Sequence, residues 1–197
     1  MIWQAGRYAL DLSLPQLMGI VNLTPDSFSD GGAFADTSAA LRHAEQLVKD
    51  GANILDLGAE STRPGATAVT AGVELDRLAP VLREVVKWGI PISIDTYKPV
   101  VMQTALDMGA DIINDVWGLR QAAPADTGVG AGLGTGVDVI AKHPNCGVVL
   151  MHMHGEPSTM QLNPMTGNVV VAVRDFLAER SQLLAKRKVA RNRVVWD

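Results

Sequence analysis

The chain has 197 residues, 47% of them hydrophobic and 19% charged, a balance that excludes a disordered tail and predicts one compact domain with a real core. Its formal charge of −4 leaves no basic footprint for nucleic acid or an anionic membrane, so an anionic ligand would need a local basic pocket. No apolar run approaches the roughly 18 residues of a membrane span, and the opening MIWQAGRYALDL has no signal-peptide pattern.

The single Cys146 has no internal partner, which agrees with a reducing compartment, so the expected location is cytoplasmic and the thiol is read as a bystander. Residues Ile2 to Leu12, with Gly6 in the middle, read as a hairpin ahead of the first core strand. Beyond it, short apolar runs alternate with stretches of helical period, the pattern of repeated βα units around a parallel sheet. The strand candidates are Leu17 to Val21, Ile54 to Leu57, Ile92 to Ile94, Ile112 to Ile113, Val148 to Met151 and Val194 to Trp196. Their lack of alternation predicts strands covered on both faces. Ala40, Leu41, Ala44, Leu47 and Val48 mark one helical face, and Leu75, Leu78, Leu82, Val85 and Val86 another. Further helices are expected from Pro99 to Met108 and from about Val169 to Lys188.

The stretch from Leu119 to Gly136, with GVGAGLGTG inside it, is expected to be a flexible surface insertion of a single domain spanning 1–197. Its glycines fit neither a dinucleotide loop nor a Walker loop. The reading gives about five and a half βα units, against the roughly 250 residues of a closed (β/α)8 barrel. The expectation is therefore a fragment of a longer barrel.

In parallel α/β folds ligands bind at the carboxyl ends of strands. Asn22, Asp95, Asn114, His152 and Asp197 each follow an apolar run, and Asp56 sits inside ILDLG. Any one of them could equally cap a helix or satisfy loop backbone. Together they favour a mouth that reads a flat heterocycle bearing amino and ring N–H groups, because carboxylates accept and amides both donate and accept. Two long loops follow the first two core strands. TPDSFSDGG places Phe28 among turn formers and suits a closing lid, and ESTRPG offers a hydroxyl and a guanidinium suited to phosphate oxygens. A zinc pair from His152 and His154 lacks completing ligands. Asn22 is a hard oxygen able to share magnesium with water and a diphosphate.

Taken in order, MGIVNLTPDSFSDGG, DLGAESTRPGA, ISIDTYKP, INDV and VVLMHMHG resemble the dihydropteroate synthase family. The resemblance spans residues 2 to 197. It implies a (β/α)8 TIM barrel of folate biosynthesis that joins 4-aminobenzoate to 6-hydroxymethyl-7,8-dihydropterin diphosphate and releases diphosphate with Mg2+. It also implies competition by sulfonamides and a homodimer. Carried over by motif, Asn22 is the magnesium ligand, Thr62 and Arg63 contact the substrate, and Asp95, Asn114 and Asp197 bind the pterin edge. Val116 and Met151 pack on the pterin faces, Phe28 and Pro64 border the aminobenzoate, and Asp30 acts in the first loop. Arg63 and Asp30 are the expected catalytic residues. The family's late glycine-rich stretch, lysine, arginine and histidine have no counterpart in this sequence, which implies that this chain alone is weak or inactive. The alternatives are a catalytically silent pterin-binding homologue and a pterin-dependent methyltransferase domain; the TPDSFSDGG and ESTRPG loops speak against the latter.

Overall fold

The structure, a computed structural model, describes residues 1–24, 32–61, 67–123, 132–155 and 164–197, and of residues 32–36 the backbone only. Strands β1 (Ile2–Ala5) and β2 (Tyr8–Asp11) form the expected antiparallel hairpin. Its turn requires Gly6, which has φ +62° and whose Cβ, if present, would lie 2.3 Å from Asp111 Oδ1.

The main sheet has six parallel strands whose spatial order equals their chain order. They are β3 (Met18–Asn22), β4 (Ile54–Gly58), β5 (Ile92–Asp95), β6 (Ile112–Asp115), β7 (Gly147–Leu150) and β8 (Val194–Trp196). The connections carry α1 (Gly32–Lys49), α2 (Ala71–Val85), α3 (Pro99–Asp107), α4 (Gly136–Lys142) and α5 (Val169–Lys186). This is the sheet of a (β/α)8 barrel, present here as five βα units and a sixth strand. Among the described residues, no helix is long and apolar enough to cross a membrane.

Two apolar layers divide the strands by parity. Leu55, Leu57, Ile92, Ile94, Ile113, Val148 and Leu150 join the helices through Leu78, Leu82, Val85, Met102, Ile140, Leu177 and Leu184. The opposite parity places Ile54, Ile112 and Val149 in a second cluster with Trp3 and Ala5 of the hairpin, flanked by Met18 and Val195. The hairpin thus plugs the concave side of the sheet near the strands' N-terminal ends.

Polar groups at that end are satisfied. Arg7 donates twice to the buried Asp111 carboxylate, whose Oδ2 also accepts from Ile92 N. Gly6 N donates to Asn145 O, and Trp3 Nε1 to Arg193 O at 2.9 Å. The Arg193 guanidinium, itself buried, donates to the carbonyls of Cys146, Ile140 and His143. Cys146 is buried beside it, and burial pushes its thiol up to about 12, as a bystander role requires.

The expected surface insertion is tied down at both ends, and this corrects its placement from Leu119 onward. Leu119 is wholly buried and adopts φ +62°, held by its N–H bond to Asp115 Oδ2 at 2.7 Å. Ala122 bridges to Thr135. Thr135 then opens α4, where Asp138 Oδ2 accepts from both its N–H and its hydroxyl. The sequence reading had no α4; a seven-residue helix beginning at glycine carries too little periodicity, although Thr135-x-x-Asp138 is a capping signature.

Candidate active site at the carboxyl ends of the strands

The register carries one row of residues across the sheet: Asn22 pairs with Gly58, Gly58 with Asp95, Asp95 with Asn114, Asn114 with Val149 and Val149 with Val195. Parity turns this row to the concave side, above the layer that holds Asp56, Ser93 and Ile112. Three of the expected residues, Asn22, Asp95 and Asn114, therefore share one face.

Gly58 keeps them close. A Cβ at Gly58 would lie 3.4 Å from Asp95 Oδ2 and 3.8 Å from Asn22 Oδ1, so both side chains lean over the strand between them. Asn114 Nδ2 donates to Asp56 Oδ2 at 3.1 Å. That bond uses one of the two amide N–H donors, leaving Asn114 a second donor and its carbonyl oxygen as an acceptor.

The polar atoms here are under-satisfied, unlike those at the hairpin end. Among the described residues, Asp56 Oδ1, Ser93 Oγ, Asp95 Oδ1 and Trp117 Nε1 are buried without a hydrogen-bond partner. Burial raises the Asp56 carboxyl, opposed first by the neighbouring Ser93 hydroxyl and then by the Asn114 amide. Burial, then the charge of Asp56 and next that of Asp115, lifts Asp95 to about 7. Asp115 is also pushed up to about 7 by burial, against the N–H bonds of Trp117 and Leu119. Carboxylates with open acceptor positions in a partly dry mouth can accept from the N–H edge of a flat heterocycle.

The remaining expected residues divide. Asp197 lies at the same end of the sheet, exposed, with its N–H on Leu150 O at 2.9 Å. Val116 and Met151 stand one step beyond the row, half-buried, and Met151 N donates to Asp115 O. Phe28, Asp30, Thr62, Arg63 and Pro64 lie outside the described residues.

Metal chemistry is sparse. Among the described residues, no group of three His, Cys, Asp or Glu could hold a metal. His152 packs edge-on against Phe176 at 5.0 Å and His154 is exposed. Asn22, exposed at the end of β3, offers one hard oxygen, a donor set that fits magnesium only where the ligand itself supplies further oxygens.

Several residues here were not assigned by sequence. Asp56 and Ser93 stand two positions before Gly58 and Asp95, so period-two counting along each strand places them in the layer below. Tyr97 stacks on Trp117 with ring centres 4.4 Å apart, and Lys98 joins Glu60 and Glu74. Only Glu60, directly ahead of STRPG, carried a positional hint.

Residues 18–197 match the model of the pterin binding enzymes. The chain belongs to that family. It is 48% identical over 198 residues to a dihydropteroate synthase of Neisseria meningitidis serogroup B, covering all of this chain and 65% of that relative. Two solved pterin-binding-family structures resemble it over its whole length. Burkholderia cenocepacia dihydropteroate synthase complexed with 7,8-dihydropteroate has TM-score 0.82, 43% identity and 62% coverage of that chain. Xanthomonas albilineans dihydropteroate synthase with 4-aminobenzoic acid has TM-score 0.84, 41% identity and 65% coverage. The chain spans just under two thirds of the length of each.

Proposed function

We propose that this protein acts as a dihydropteroate synthase, joining 4-aminobenzoate to 6-hydroxymethyl-7,8-dihydropterin diphosphate. The observation that carries the reading is the concave row of Asn22, Gly58, Asp95 and Asn114, with buried carboxylate oxygens left open above Asp56. The dihydropteroate and 4-aminobenzoic acid complexes of its relatives support the same substrate pair.

In this reading Asp95 accepts from the amino and ring N–H groups of the pterin, and Asn114 and Asp197 complete its edge. Val116 and Met151 cover its faces with apolar surface. Thr62 and Arg63 bind the diphosphate-bearing end, Phe28 and Pro64 border the aminobenzoate, and Asp30 acts from the first loop. The C–O bond to diphosphate breaks with its electron pair leaving on oxygen. The neutral aniline nitrogen supplies the new C–N bond and then loses a proton. Asn22 would hold Mg2+, whose charge would offset that of the diphosphate. The protein's own part is to orient the ring and keep water from the electron-poor methylene carbon.

Titration calorimetry with the pterin diphosphate, followed by a pteroate-formation assay on the same protein, tests this. Saturable binding is the expected result for this chain, with weak or no turnover, and Mg2+-dependent turnover is expected from a version extended to the length of its relatives. Binding without turnover in the extended version would favour a silent pterin-binding homologue, and no binding would overturn the reading.

A further inference from the structure

We propose that Lys98 is a positioning residue that pins both ends of the connection between β4 and α2, the segment that begins at Glu60. Its ammonium group donates to Glu60 Oε2 and, at 2.6 Å, to Glu74 Oε2 on α2. All three side chains are largely shielded: Lys98 is 14% exposed, Glu60 6% and Glu74 1%. The other Glu60 oxygen accepts from Val69 N at 3.2 Å and from the Tyr97 hydroxyl at 3.0 Å. One carboxylate therefore joins the first residues of the connection to its last ones, and Lys98 holds that carboxylate in place.

The arrangement reaches further. Lys98 sits 4.4 Å above the Tyr97 ring, and Tyr97 stacks on Trp117 in the connection that follows β6. Arg77 of α2 donates to Ala59 O at 3.0 Å, bracing the same stem. Burial alone would lower the pKa of the Lys98 ammonium, but its two glutamates outweigh this and raise it. A buried cation between two carboxylates is poor evidence of stabilisation, since an apolar trio often serves as well, whereas it fixes geometry. Three strand-end connections, after β4, β5 and β6, are thereby held in one register at the mouth described above.

The part of this inference that concerns a ligand rests on the function proposed above, because Thr62 and Arg63 lie on the pinned connection. The test therefore has two arms. In hydrogen exchange, Lys98→Met is expected to speed the Val69 amide, which donates to Glu60, at least tenfold while those of 55–57 and 92–94 keep their wild-type rates, and Lys98→Arg is expected to restore protection. In calorimetry, Lys98→Met is expected to weaken binding of the pterin diphosphate about tenfold while leaving binding of the pterin without diphosphate unchanged. Uniform acceleration of all these amides, or none, would overturn the inference. Should Lys98→Met not fold, Tyr97→Phe, which removes one donor to Glu60, is expected to give a several-fold local effect, and its absence would overturn the inference too. A wild-type protein that binds neither pterin would sink the proposed function, while the exchange arm would still decide the role of Lys98.

Discussion

The two ends of the parallel sheet use similar residues for opposite purposes. At the N-terminal end, Asp111 is buried and accepts four hydrogen bonds from side-chain and backbone donors, and Arg193 is buried and donates to three carbonyls. At the C-terminal end, Asp56 is buried and Asp95 half-buried, and each has a buried oxygen with no partner among the described residues. Satisfied polar groups in a dry region lock one arrangement; buried acceptors with no protein donor can take one from a ligand.

That contrast is open to attack from either end. The largest effect is expected from Arg193→Ala, which removes a buried side chain together with its hydrogen bonds to the carbonyls of Cys146, Ile140 and His143 and is expected to cost about 3–5 kcal/mol in urea unfolding, with ligand affinity intact in the fraction that folds. Asp95→Asn is expected to do the reverse: pterin diphosphate binding falls about 100-fold, the scale of a lost charged hydrogen bond, while thermal stability at pH 8 rises.

A pH series sharpens the same point. Asp95 has a folded-state pKa near 7, raised above its unfolded value, so its contribution to stability is fully present below the unfolded pKa and is lost as pH rises through 7. Affinity for the pterin runs the other way, rising about tenfold from pH 6 to pH 8 as the carboxylate becomes available to accept. Asp95→Asn is expected to flatten both curves. The smallest effect belongs to the hairpin end: Trp3→Phe removes one hydrogen bond to Arg193 O and is expected to cost about 1 kcal/mol, with no change in ligand affinity.

Much of this contrast was legible in the sequence. The unbroken apolar runs located all six core strands to within two residues, because strands covered on both faces have no polar alternation to blur them. Asn22, Asp95 and Asn114 could be placed at the strand ends because a polar residue directly after such a run has only that position to occupy. Asp56 was visible but lacked a role, since its significance comes from cross-strand register with Ser93 and Asn114, which no single segment encodes. The Lys98 trio joins residues 24 and 38 positions apart, and α4 was hidden by its brevity. Leu119 was misplaced at the surface because neighbouring glycines suggested a loop, whereas Asp115 holds its backbone inward.

The bond from Trp3 to Arg193 spans 190 positions. The hairpin and its acceptor are thus separated by five βα units, so this bond closes only once the sixth strand has been made and placed beside β7. Until then Trp3 lacks its acceptor and part of its cover, which makes full seating of the plug a late folding event, and an indole at position 3 is well placed to report it by its fluorescence.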